Sequence, residues 1–203
     1  MSTLNQRISN FKSKVLDKAA LARPNLFRVD LDFPASVKAA TSHISGGGKY
    51  TADSDKLGKF QVRAAQLPAT TIGVVEVPFR GRMLKIAGDR TFEPWTITVM
   101  NDEDHRLRSA FEIWVSMIQS QDTNFQELGI DANSGDTVYK DMKVTQLSRG
   151  TYDSKANGNL LQYKFKHCYP SSVSAIDLDW GSNDAIQEFT VEFQLSHWVS
   201  DYK

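Results

Sequence analysis

Cysteine is nearly missing from this chain of 203 residues: Cys168 stands alone. One thiol cannot form an internal disulfide, and it cannot supply a cysteine-based zinc site. No apolar run approaches the roughly 18 residues that a membrane-spanning helix needs. Neither sign of charge is in excess, because 24 Lys plus Arg balance 24 Asp plus Glu. A net charge of zero excludes a protein that grips polyphosphate through bulk charge, and it leaves little self-repulsion to oppose dense self-association. Histidine is scarce as well. His43, His105, His167 and His197 show no metal-pair spacing, and no H-E-x-x-H occurs. The first residues interleave Arg7, Lys12, Lys14 and Lys18 with apolar positions, unlike a secretory signal. A soluble protein made in a reducing compartment is the simplest expectation.

Hydrophobic residues make up 40% of the chain, enough to build a large core without covalent staples. Leu4, Ile8, Phe11 and Val15 step at helical spacing, which predicts an amphipathic N-terminal arm over 1–22. Such a short helix is marginal alone and needs a surface to lie on. Phe27, Val29, Leu31 and Phe33 alternate with polar residues, the pattern of a half-buried strand. Residues 34–58 carry Gly46-Gly47-Gly48 and no periodicity, and read as a long inserted loop. Further strands are expected around Phe60–Ala64, Val75–Phe79 (ending at Gly81), Met83–Ile86 (ending at Gly88-Asp89) and Trp95–Met100. Then the period changes. Leu107, Phe111, Trp114 and Ile118 predict a helix over about 103–120, with Asn101 and Asp102 as caps. Val138–Leu147, the region of Tyr163 and Phe165, Val173–Leu178 and Phe189–Leu195 read as β again. The fold class is mainly β: one antiparallel barrel or sandwich domain over 1–203 with one flanking helix.

The chemistry search returns nothing catalytic. Gly46-Gly47-Gly48-Lys49 is followed by Tyr50, and a Walker motif's first glycine would fall at His43, so no phosphate loop is present. Cys168 and His167 are strand neighbours and point to opposite faces, so they cannot act as nucleophile and base together. No G-x-S-x-G elbow exists. Trp95 and Trp114 lie on apolar faces and belong to the core. Trp180 and Trp198 are left open, and an exposed one would be required by a carbohydrate-binding sandwich.

Three stretches stand out as signatures: ARPNLFRVDL over 22–31, AAQLPATTIGVVEVPFRGRMLKIAGDRTFEPWTITVMND over 64–102, and PSSVSAIDLDWGSNDAIQEFTVEFQLSHWV over 170–199. Together they resemble the tail tube protein of contractile-tailed bacteriophages, and the block AGDRTFEPWTITVMND is especially specific. The tube protein of type VI secretion systems is similar in fold. The resemblance implies a structural virion protein of the phage tail, made in the host cytoplasm, with no enzymatic activity and no cofactor or metal. It implies hexameric rings whose inner sheets join and which stack into a tube. A contractile sheath would surround that tube, baseplate tube proteins would meet its end, and tape measure protein and genomic DNA would occupy its bore. A baseplate tube or tube-initiator protein of the same fold is the near alternative. The 34–58 insertion departs from the family, whose first two strands are joined by a shorter hairpin. Gly81, Gly88, Asp89, Arg90 and Trp95 are the expected assembly-critical positions. Both glycines are expected at turns, and Asp89 and Arg90 in ion pairs across a turn or between subunits. A bore that passes DNA without holding it should be neutral to acidic, with Glu188 and Glu192 as candidate acids.

Overall fold

The computed structural model describes residues 22–44, 59, 61–126, 129, 136–147 and 159–201. The predicted arm lies outside the described residues up to position 21, as does the predicted loop from 45 to 58. In chain order the elements are β1 (Phe27–Asp30), α1 (Ala35–Ile44), β2 (Val62–Ala65), β3 (Thr70–Phe79), β4 (Arg82–Phe92), β5 (Trp95–Met100), α2 (Arg106–Ile118), β6 (Lys140–Leu147), β7 (Asn159–Val173), β8 (Glu188–Gln194) and β9 (His197–Ser200). The class is the expected one, mainly β and antiparallel, with α1 in addition to the expected helix.

Seven strands follow the order β1-β6-β7-β8-β5-β2, with β9 also on β7. The 15-residue β7 belongs to two sheets. Its first half pairs with β6 and with β9 (Tyr163 opposite Ser200), and its second half pairs with β8 (Tyr169 opposite Gln194). Between the halves His167 takes a positive φ of 56°, and register shifts flank it. A bent strand of this kind turns one sheet over onto the other. Trp95 of β5 and Phe165 of β7 then stack at 4.4 Å in the core, with Phe193 of β8 beside them.

Period-2 alternation explains β5 and β8: Trp95, Ile97, Val99, Phe189, Val191 and Phe193 are all buried. The helical stripe of α2 buries Leu107, Ala110, Phe111 and Trp114. Phe111 meets Phe189 and Phe193 edge-on, and Phe33 packs on both Phe111 and Trp114. Each such buried side chain is worth about 1.5–3 kcal/mol. The N-cap of α2 is His105 rather than Asn101 or Asp102, with a left-handed φ of 51° and no side-chain cap bond, while Asp102 accepts the Arg106 N–H at 2.9 Å from three residues before the cap. Asn101 works differently, and its amide donates to Gln187 in the segment before β8.

Two sequence expectations are corrected here. The loop expected from 34 is helical over Ala35–Ile44. This helix has one deeply buried apolar anchor among its described side chains, Val37, so no stripe announces it. Its N-terminal cap also comes from far away. Asp136 accepts the backbone N–H of Ala35 at 3.0 Å and of Ser36 at 2.6 Å, as well as the Ser36 hydroxyl. Pro34 precedes the helix and has no side chain that could do this. The second correction concerns Val173–Leu178. The ladder stops at Val173, because Ser174 is tied to Thr190 by backbone and hydroxyl bonds while its carbonyl accepts from Arg108 at 2.8 Å.

The Asp136 cap carries a pH signature. Burial opposes ionisation, but hydrogen bonds from Ser36, Ala35 and Lys140 outweigh it and hold the carboxyl at about 2. A folded pKa below the ordinary 3.8 means stability that is present above pH 3.8 and is lost as pH falls toward 2. The whole effect is on the order of 2 kcal/mol. Asp136→Asn should therefore lower urea-unfolding stability at pH 7 by about 1–2 kcal/mol, and the gap to wild type should shrink as pH falls below 3.8.

Candidate self-assembly surface

Among the described residues β3 and β4 pair only with each other. Phe79 and Arg82 close the hairpin over Arg80-Gly81, whose φ values are 46° and 83°. Positive φ at both turn residues matches the right-handed strand twist of a two-residue type I′ loop, and glycine takes the second position without strain. The Arg80 guanidinium lies over the Phe79 ring.

Gly88 is not at a turn, contrary to expectation. β4 runs through it to Phe92. Gly88 and Asp89 together face the single residue Gly73, which is a β-bulge. A Cβ on Gly88 would stand 3.1 Å from the Gly73 carbonyl oxygen and 3.3 Å from Val75 Cγ2. The glycine is there because another backbone approaches it. Asp89 and Arg90 continue the strand, and among the described residues neither has an ion-pair partner across a turn.

The two faces of the hairpin differ. One carries the pairs Val75–Ile86 and Val77–Leu84 and ends in Phe79–Arg82. The other carries Val74–Ala87, the ion-paired Glu76–Lys85 and Pro78–Met83. All of β3 is exposed, with Phe79 at 66% and Leu84 at 59%. A lone two-stranded ribbon with a continuous apolar face is poorly stable in water and marks a surface meant to be covered.

Its root is held firmly. The Trp95 indole N–H donates to the Gln66 carbonyl at 2.8 Å, and that of Trp198 to the Ala69 carbonyl at 3.3 Å. Phe92 packs edge-on to Trp198. Trp95 is thus a core residue that also grips the connector between β2 and the hairpin. Of the five sequence-predicted positions, four lie on the hairpin and the fifth anchors its base. Sequence reasoning missed β9, which supplies Trp198.

The remaining chemistry is silent. No group of three or more His, Cys, Asp or Glu that could hold a metal exists among the described residues. Cys168 is buried, and burial pushes its thiol up to about 12, so it is a poor nucleophile. Asp141 is partly buried, yet hydrogen bonds from Lys166 and the His167 N–H keep its pKa below the ordinary value. Trp180 is fully exposed, together with Leu178 and Ile186, on the 174–187 segment between β7 and β8. The exposed tryptophan that the carbohydrate reading required is therefore present. Trp198 is half-buried.

Comparison with known proteins places this geometry. The family described as phage tail tube protein matches residues 22–201. Tail tube protein gp19 of Enterobacteria phage T4 is 31% identical over 92% of this chain and 96% of its own length. Its counterpart in phage T6 is 32% identical over the same shares. Among solved structures, the cap of the anti-feeding prophage tube superposes with a TM-score of 0.59 at 13% identity, covering 90% of this chain and 92% of that one. A chain of the sheath–tube complex of an extracellular contractile injection system in its extended state gives 0.53 at 12% identity, over 97% and 99%.

Proposed function

This chain belongs to the phage tail tube protein family, a structural family of the virion tail with no enzymatic role, and on that premise we propose that its copies form hexameric rings that stack into the inner tube of a contractile tail. The observation that carries the reading is the β3–β4 hairpin, whose apolar face is left uncovered by the described residues. Among the described residues β1, β2 and β9 lie at sheet edges, each paired on one side. Lateral association satisfies such edges by pairing them, and ring closure removes them. Head-to-tail stacking does not close, so a filament grows.

In this reading Gly81 and Gly88 let the hairpin turn and narrow. Asp89 and Arg90 are free to pair with a neighbouring copy, and Trp95 fixes the angle at which the ribbon leaves the core. The bore carries DNA and tape measure protein, the sheath binds outside, and baseplate tube proteins seed growth. The outward face of β5 and β8 supplies Thr96, Thr98, Thr190 and Glu192, while Glu188 is ion-paired with Arg63. A wall of this composition is neutral to acidic and gives duplex phosphates no cationic grip.

Negative-stain electron microscopy of the purified full chain tests the reading. Six-fold rings or hollow tubes are expected, and assembled tubes should retain DNA weakly. Persistent monomers at high concentration would count against the tube, and strong, salt-sensitive DNA binding against the acidic wall.

A further inference from the structure

Within that tube reading, on which this inference rests, one surface is unused. The 174–187 segment exposes Leu178 at 79%, Trp180 at 102% and Ile186 at 69%. A concave surface runs between them, lined also by Ile176 and Ala185. The segment is acidic, with Asp177, Asp179 and Asp184 and no Lys or Arg. Its shape is set locally: the Gly181 N–H donates to Asp179 Oδ1, and Asp184 takes a positive φ of 61°. Arg108 fixes its start through Ser174. Surface area as apolar as this, built on a pinned segment, is a contact surface.

Residues 1–21 have the complementary chemistry. Leu4, Ile8, Phe11 and Val15 are apolar at helical spacing, and Arg7, Lys12, Lys14 and Lys18 outnumber the single acid Asp17. Four cations less one anion give +3, against −3 for the three aspartates of 174–187. Where the arm starts matters equally. Leu26 bonds to Leu147, and Leu147 is opposite Asn159, the first residue of β7. The acidic apolar segment begins just after Val173, the last residue of β7. The two features therefore leave opposite ends of the longest strand. In a head-to-tail stack whose axis follows β7, the arm end of one subunit would face the 174–187 end of the next. Twenty-one residues reach about 30 Å if helical and about 70 Å if extended, enough to cross one subunit junction.

We propose that residues 1–21 of one copy seat Leu4, Ile8, Phe11 and Val15 against Leu178, Trp180 and Ile186 of a second copy in the adjacent ring, with the arm's cations over Asp177, Asp179 and Asp184. The contact links ring to ring and is distinct from the hairpin contact within a ring. Apolar side chains supply the attachment, and the opposed charges set its direction and deter pairing of like ends.

Cysteine cross-linking in the full-length chain tests this. Phe11→Cys and Ile186→Cys are made singly and together, with buried Cys168 left in place as an inert thiol. Mild oxidation of the double variant under assembly conditions should give a ladder of covalent multimers, and a mixture of the two single variants should give dimers. Trp180→Ala should raise the concentration needed for tubes on the order of tenfold or more, while rings still form. Reversing Lys12, Lys14 and Lys18 to Glu should block stacking, and reversing Asp177, Asp179 and Asp184 to Lys in the same chain should restore it. Cross-links confined within single chains would overturn the proposal. So would rings that stack without cross-linking, or unchanged tube formation by Trp180→Ala. Those outcomes leave the tube reading standing, whereas failure of the unmodified chain to form rings at all would remove both.

Discussion

Val77→Asp should yield a folded monomer that no longer builds rings. Val77 lies mid-strand in β3, opposite Leu84, on the hairpin's apolar face. It is 40% exposed in the isolated chain, so the carboxylate meets water there and costs the monomer little. In a covered interface the same group loses its hydration and has no designed partner. Burying a polar group without a hydrogen bond costs about 2–7 kcal/mol, and the lost valine contact adds about 1.5–3 kcal/mol. Even the lower ends of these ranges raise the association concentration several hundredfold per contact. Light scattering after size exclusion should report a monomer at concentrations where the wild type assembles, with a melting temperature within a few degrees of wild type. Assembly at wild-type concentrations would show that this face is not an interface. Glu76→Gln on the opposite face is the control and should assemble.

The second large effect falls on the core. Trp95→Ala should cost about 3–5 kcal/mol of folding stability, the range for removing a buried aromatic. Trp95 stacks on Phe165, touches Phe193 and is 1% exposed. Urea unfolding would measure this as a fall in midpoint at constant slope. Trp95→Phe separates the two jobs of this side chain. It keeps much of the packing but removes the N–H that holds the Gln66 carbonyl. A loss of about 0.5–1.5 kcal/mol is expected from the hydrogen bond itself, because the part-buried Gln66 carbonyl can turn to water in place of its donor. Amide exchange should also accelerate selectively at the base of the hairpin. Uniform destabilisation with no local change would mean that the indole does not anchor the ribbon.

What could be read without coordinates was what local periodicity encodes. β5, β8 and α2 repeat every two or every 3.6 residues, and their buried faces are the ones the pattern marks. Elements decided by distant partners were hidden. α1 depends on Asp136, a hundred positions away, and on a single valine. Gly88 looked like a strand terminus because glycine interrupts a β pattern in either case, and only the closeness of Gly73 reveals a bulge. β9 is short and follows β8 after two residues, so the two read as one strand until the separate pairing of β7 divides them. The hairpin was partly visible. Its turn and alternation are written in Val75, Val77, Phe79 and Gly81, but a strand that docks on another copy alternates like one buried at home. That Trp95 serves both core and hairpin root rests on one indole hydrogen bond, for which sequence has no signal.

The remote cap on α1 also bears on timing during biosynthesis. Ala35 and Ser36 leave the ribosome about a hundred codons before Asp136 does, and β1 likewise waits for β6. At roughly 5–20 residues per second, the amino-terminal third spends about 5–20 s without the partners that secure it. The nascent chain thus completes its body only after most of it has been translated.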